Sequence, residues 1–173
     1  VINARSVAVA TLLAIVLATP GFGQGAPMFG GFLATTEDAI SIDANTLEWT
    51  NVEGRDVLEY RGGVVAVRGA MTIRADVLMV YLPLPDAPGA GAFDRLEASG
   101  NVSVVSAGQR ATSQALVMDM VAQTVVMNGT VTLNDGANQM AGDRLTVDLT
   151  SGGWRLEAAA GDGRVRTTVN TAR

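Results

Sequence analysis

From Ile40 onward, apolar residues alternate with polar ones in short runs broken by Gly, Asn and Asp, and no apolar stripe of helical period lasts beyond two turns. That pattern predicts strands. Abundant Val and Thr also suit a pleated, half-buried surface better than a helix. The strands repeat. Four segments share a small residue, two variable residues, Leu, one further residue and an apolar one: Ala44 to Trp49 (ANTLEW), Ala75 to Val80 (ADVLMV), Ser113 to Met118 (SQALVM) and Gly142 to Val147 (GDRLTV). Their leucines, Leu47, Leu78, Leu116 and Leu145, are spaced by 31, 38 and 29 residues. Each is followed by a Gly-x-Val segment leading into a strand, at Gly62, Gly100, Gly129 and, less regularly, Gly163. The unit is therefore strand, corner, strand, repeated four times. The longest spacing holds one insertion, Pro83 to Ala92 (PLPDAPGAGA), whose Pro and Gly content predicts a loop.

Within each unit the period-2 alternation slips once, at Asn45-Thr46, Asp76-Val77, Gln114-Ala115 and Asp143-Arg144. A bulge or bent corner has this effect: it inserts a residue, raises the local twist and returns the apolar set to the same side. Four such corners predict strands that fold over between facing layers, in jelly-roll or sandwich construction. The inward rows read Ile40, Ile42, Leu47, Trp49; Leu58, Tyr60, Val64; Met71, Ile73, Leu78, Val80; Leu96, Val102, Val104; Leu116, Met118, Met120; Val125, Met127, Val131, Leu133; Met140, Leu145, Val147, Leu149; and Leu156. Apolar alternation of this kind describes a packed core as well as a ligand-lined groove.

Composition narrows the function. The 173 residues include no His and no Cys, so triad and thiol nucleophiles, zinc fingers and thiol redox chemistry are excluded for this chain, and no enzyme activity is expected. All twelve basic residues are Arg, against 17 acids, for a net charge of −5. A nucleic-acid partner is not expected, because such affinity rests on clustered cations. Residues 1–23 carry Arg5, an apolar run from Val7 to Ala18, then Pro20 and Gly21-Phe22-Gly23. This is the layout of a secretory signal peptide, with cleavage expected after Gly23; the run is too short to span a membrane easily. The alternative is a retained anchor helix. Residues 24–36 then read as a flexible lead-in, 37–169 as one β domain and 170–173 as a tail.

Among the acids, Asp76, Asp119, Asp143 and Asp148 recur in position; Asp76 and Asp143 fall on the corners, where a carboxylate accepts from nearby backbone N–H groups. A glycosidase carboxylate pair is the sharper alternative, and no Trp-rich sugar platform accompanies it. Asn134-Asp135-Gly136 reads as a hairpin turn, because a calcium loop needs spaced oxygen ligands and a closing Glu. No metal or other cofactor is expected. Arg55, Arg61, Arg68, Arg74 and Arg110 are interspersed with acids, as on a solvated surface or a weak anion-contacting rim.

As a set, Ile73 to Tyr81 (Ile-x-Ala-Asp-x-Leu-x-Val-Tyr), Leu96 to Val104 (Leu-Glu-Ala-x-Gly-Asn-Val-x-Val) and Met140 to Asp148 (Met-x-Gly-Asp-Arg-Leu-x-Val-Asp) resemble the OstA-like family over roughly residues 40–169. The resemblance implies an open, twisted antiparallel β-jellyroll and a periplasmic protein that carries lipopolysaccharide with its acyl chains in an apolar groove. It also implies end-to-end self-association through unpaired edge strands, linking an inner-membrane partner of the same fold (LptC-like) to an outer-membrane one (LptD-like). The lining matching the family pattern is Leu78, Val80, Val102, Val104, Leu116, Met118, Val131, Leu133, Leu145 and Val147, with edges at Ile40 to Trp49 and Leu156 to Val169. Two other roles stay open: the membrane-anchored partner itself, and a polymerising β scaffold without cargo.

Overall fold

The structure is a computed structural model, and it describes residues 39–84, 92–136, 138–158 and 163–169. The expected signal peptide and lead-in, and the middle of the Pro83 to Ala92 insertion, lie outside the described residues. Among the described residues ten strands form a single antiparallel sheet: β1 (Ser41–Asp43), β2 (Thr46–Val52), β3 (Arg55–Arg68), β4 (Met71–Tyr81), β5 (Arg95–Ser106), β6 (Gln109–Asp119), β7 (Thr124–Asn134), β8 (Asn138–Asp148), β9 (Trp154–Glu157) and β10 (Arg166–Val169). Each of β3 to β8 pairs with its sequence neighbours, a meander whose turns are short except between β4 and β5, where residues 82–94 with the Pro83 to Ala92 insertion make the link. Two short strands share each end: β1 and β2 both pair with β3, and β9 and β10 both pair with β8.

That sharing follows from a bend in every long strand. The register shifts at one level across the sheet, between Arg61 and Val64, Arg74 and Val77, Ser99 and Val102, Thr112 and Ala115, and Asn128 and Val131. The corners expected in β4 and β6 stand where the parity slip placed them. Of the Gly-x-Val segments, the one at Gly163 does lead into a strand, β10, but the first three do not begin strands. Gly62, Gly100 and Gly129 sit in the middle of β3, β5 and β7, as the matching corners of the partner strands. There two successive residues have positive φ, namely Gly62-Gly63, Gly100-Asn101 and Gly129-Thr130, and each of these strands carries one residue more than its neighbours.

The corner polar residues of one strand lie over the glycines of the next. A Cβ at Gly62 would stand 2.6 Å from Asn45 Nδ2, one at Gly129 2.6 Å from Gln114 Oε1, and one at Gly100 against the Asp76 carboxylate. Glycine is therefore required at each of these corners both for backbone angle and for space.

The bend folds the sheet onto itself. One layer runs β1, the carboxyl half of β3, the amino half of β4, and so on to β10; the other runs from β2 to β9. Inward residues of both layers form one core, with Met71, Ile73, Val104 and Ala111 from the first and Leu78, Leu96, Leu116 and Met127 from the second. The sequence reading missed Val57, Ala66, Ala75, Ala98 and Ala111 as buried positions, and Phe93, which is buried just after the Pro-rich insertion. In the opposite sense, Leu47 and Trp49 were expected inside, yet they are 55% and 65% exposed. Their parity is inward, opposite Tyr60 and Leu58, but β2 is the last strand of its layer and nothing among the described residues covers its far side.

Candidate functional site

All ten residues expected to line a groove are buried, at 0–6% exposure, and share one contiguous cluster. They come from the even and odd strands alike because the corner restores the same face on both sides of each bend. Leu78 and Leu116 lie in one cross-sheet file, Leu47, Tyr60, Leu78, Ala98, Leu116, Met127, Leu145 and Leu156, which crosses one layer from edge to edge. Val80, Met118 and Val147 lie in the next, from Trp49 to Trp154. The layers meet without a wide gap. Where Ile40, Ala66, Met71 and Ile73 face Leu96, the space between them is about 10 Å³, no more than a single water would need.

The open edges are the other distinctive feature. Every residue of β2 and of β10 is exposed, and among the described residues six of the nine exposed large apolar side chains stand at these two ends: Leu47, Trp49 and Val52 at one, Trp154, Val165 and Val169 at the other. Free edges with large apolar residues are the surfaces that ordinary sheet proteins blunt or cover.

The recurrent acids hold turns and corners. Asp119 Oδ1 accepts from the backbone N–H groups of Val121 (3.0 Å) and Ala122 (2.7 Å), and Asp148 Oδ1 from Thr150 and Ser151 (both 2.8 Å). The Ser151 hydrogen bonds hold the Asp148 carboxyl below its usual range. Asp76 Oδ2 accepts from Asn101 Nδ2 at 2.8 Å across the corner. Asn134 Oδ1 accepts from Gly136 N, and Asp135 Oδ1 from Asn138 N, so this segment is a side-chain-braced turn. Of the arginines, Arg55 pairs with Asp94 at 2.9 Å, Arg61 with Glu59, and Arg110 donates to Ser103 Oγ at 3.2 Å. Burial, assisted by the Glu97 charge, raises the Tyr81 hydroxyl above its ordinary value. Among the described residues no group of three or more acids stands ready to hold a metal, and no helix is long and apolar enough to cross a membrane.

A single sheet bent along a line of glycine corners, apolar within and unpaired at both ends, defines an open jellyroll. The family model described as "LptA/(LptD N-terminal domain) LPS transport protein" matches residues 41–153, and the chain belongs to that family. A similar fold is found in the crystal structure of LptH, "the LptA homologous periplasmic component of the conserved lipopolysaccharide transport device from Pseudomonas aeruginosa". The TM-score is 0.63 at 15% identity, covering 79% of this chain and 98% of that one. An uncharacterised protein of Rhizobium meliloti (strain 1021) is 28% identical over 161 residues, covering 90% of this chain and 86% of the relative. The OstA-like resemblance read from the repeat motifs, and the open β-jellyroll it implied, are thus those of the molecule.

Proposed function

We propose that the protein works in the periplasm as a lipopolysaccharide carrier and bridge, taking the lipid A acyl chains between the two layers and joining inner- and outer-membrane components of the transport machinery through its edges. The observation that carries this reading is the apolar file running unbroken through one layer from one exposed edge to the other. A surface of this kind can pass a chain along its length without a polar barrier. Each methylene transferred from water contributes about 0.8 kcal/mol, so several acyl chains supply enough free energy to part side chains that now touch. No β pairing joins the layers among the described residues away from the bend, so they can separate without breaking a ladder. The lining residues are the ten named above, and energy for directional movement comes from a partner.

Photo-crosslinking in cells tests this. A photoreactive residue at Leu116 or Met118 is expected to give a lipopolysaccharide adduct, whereas one at Val117, which points to the outer face, gives none. Absence of adducts at the inward positions in folded, exported protein overturns the carrier reading. It would favour the cargo-free polymerising scaffold, with which the closely packed interior also agrees.

A further inference from the structure

The inner face of the first layer is apolar up to a definite line. Its middle row runs from Ile42 through Ile73, Val104, Ala111 and Leu133 to Met140. One row further from the bend, the side chains of inward parity change character. Arg68 lies opposite Met71 there, Ser106 opposite Gln109, and Asn138 opposite Val169. Ser106 is 3% exposed, so this polar lip belongs to the packed interior as much as the apolar rows behind it.

Buried polar atoms are nearly always hydrogen-bonded, because an acceptor shut away from water gives up its hydration and gains nothing in return. Among the described residues two buried side-chain acceptors meet no donor, Gln109 Oε1 and Asn138 Oδ1, and both fall in this row. The rest of Asn138 is engaged. Its backbone N–H donates to Asp135 Oδ1 at 2.6 Å and its Nδ2 to Asp135 Oδ2 at 3.1 Å, which fixes the side chain and leaves Oδ1 over. At the corresponding end of the second layer the polar groups satisfy one another. Asn51 Nδ2 donates to Asp56 Oδ1 at 2.8 Å, Arg55 pairs with Asp94 at 2.9 Å, and Gln123 Nε2 donates to the Met120 carbonyl. The unmet acceptors are therefore a property of one lip, and they stand where the apolar lining ends.

We propose that Gln109 and Asn138 select the cargo, accepting hydrogen bonds from N–H and O–H groups at the junction between the head and the acyl chains of a lipid held between the layers. The inference rests on the carrier reading above and adds to it a basis for choosing between lipids. Acyl chains of any lipid satisfy the apolar rows, so those rows do not discriminate. The junction does. Lipid A joins part of its chains to amino sugars through amides and carries hydroxyls beside them, and these groups donate. A diacyl glycerophospholipid joins its chains through esters, which only accept. Acceptor set against acceptor leaves both unpaired, and a site that bonds a donor rejects the analogue lacking it.

Protein purified as the producing cell processes it is offered lipid A or dipalmitoyl phosphatidylcholine, whose head has no N–H or O–H, in the same detergent micelles, and the lipid retained is measured over a concentration series. The unaltered protein is expected to hold lipid A about tenfold more tightly or better. Gln109→Met keeps the length of the side chain and removes the acceptor. It is expected to lose about tenfold toward lipid A and nothing toward phosphatidylcholine. Its urea midpoint without lipid is expected to stay level or rise, since an apolar group replaces an unpaired one. Gln139→Met, the same exchange at an exposed position of β8, is expected to leave both affinities unchanged. Equal binding of the two lipids by the unaltered protein overturns the selective lip and leaves the carrier reading standing. A Gln109→Met variant that loses both affinities alike, loses neither, or unfolds at lower urea has the same consequence. If the unaltered protein retains neither lipid, the carrier reading falls and the lip with it.

Discussion

The corners put the heaviest demands on single residues. Gly100 combines a φ of +75° with a position where an added Cβ would lie 2.9 Å from Asp76 Cβ, while Gly108, with a φ of +81°, has open space around it. The two glycines therefore separate backbone strain from collision. Gly108→Ala is expected to cost about 1–2 kcal/mol, the ordinary penalty of a left-handed L-residue. Gly100→Ala is expected to cost about 1 kcal/mol more, because Asp76 must also leave its bond to Asn101. Urea unfolding of the two variants measures the difference, and equal midpoints would mean that the corner yields freely. Asp148 supplies a different residue-level expectation. Its folded carboxyl lies below the ordinary value of 3.8 because Ser151 donates to it, so its contribution to stability is present above that value and is lost as pH falls through the lower, folded one. Asp148→Asn keeps an acceptor for the turn and removes the titration. Melting temperature against pH should accordingly fall less steeply at the acid end for the variant than for the parent.

At the scale of strands, the period-2 alternation and its single slip located the bends of β4 and β6 because those bends change the parity of side chains. The bends of β3, β5 and β7 left no such trace. There an extra residue with positive φ preserves parity, so the inward set runs Leu96, Ala98, Val102, Val104 without interruption, and Gly100-Asn101 looks like the start of a strand. The ten lining residues were legible because alternation fixes which side of a strand faces in; their close packing was not, since packing depends on how far the layers lie apart. Leu47 and Trp49 show the same limit. Parity gave their direction, and only the order of strands reveals that no described strand covers them. Alanines 66, 75, 98 and 111 escaped notice because a small side chain carries little hydrophobic signal, yet they allow the layers to approach. Leu116 stands at the middle of this packing, wholly buried. Leu116→Ala should cost about 2–5 kcal/mol, whereas Val117→Ala on the outer face costs about 1 kcal/mol or less, a contrast that denaturant titration reads directly.

For the molecule as a whole, the meander makes stability nearly one-dimensional. Each long strand pairs with its sequence neighbours, so a strand is held by the two beside it and by side chains across the fold. Strands β5, β6 and β7 have long partners on both sides, whereas β2 and β10 are bordered on one side only and are exposed throughout. Opening from the ends exposes little buried surface; opening at the centre divides the core. Amide hydrogen exchange on dilute protein is therefore expected to proceed inward, with β2 and β10 exchanging first and β5 to β7 last. The end-to-end bridging proposed above predicts a specific change in this order. A neighbour on each edge supplies the missing ladder partners, so concentrating the protein should protect β1, β2, β9 and β10 and leave the centre unchanged. The two tryptophans, both on these edges, offer a second readout, since covering them shifts their emission to the blue. Protection that rises uniformly along the chain would instead indicate general compaction, and protection that rises only at β2 would indicate copies that meet through their β2 edges alone.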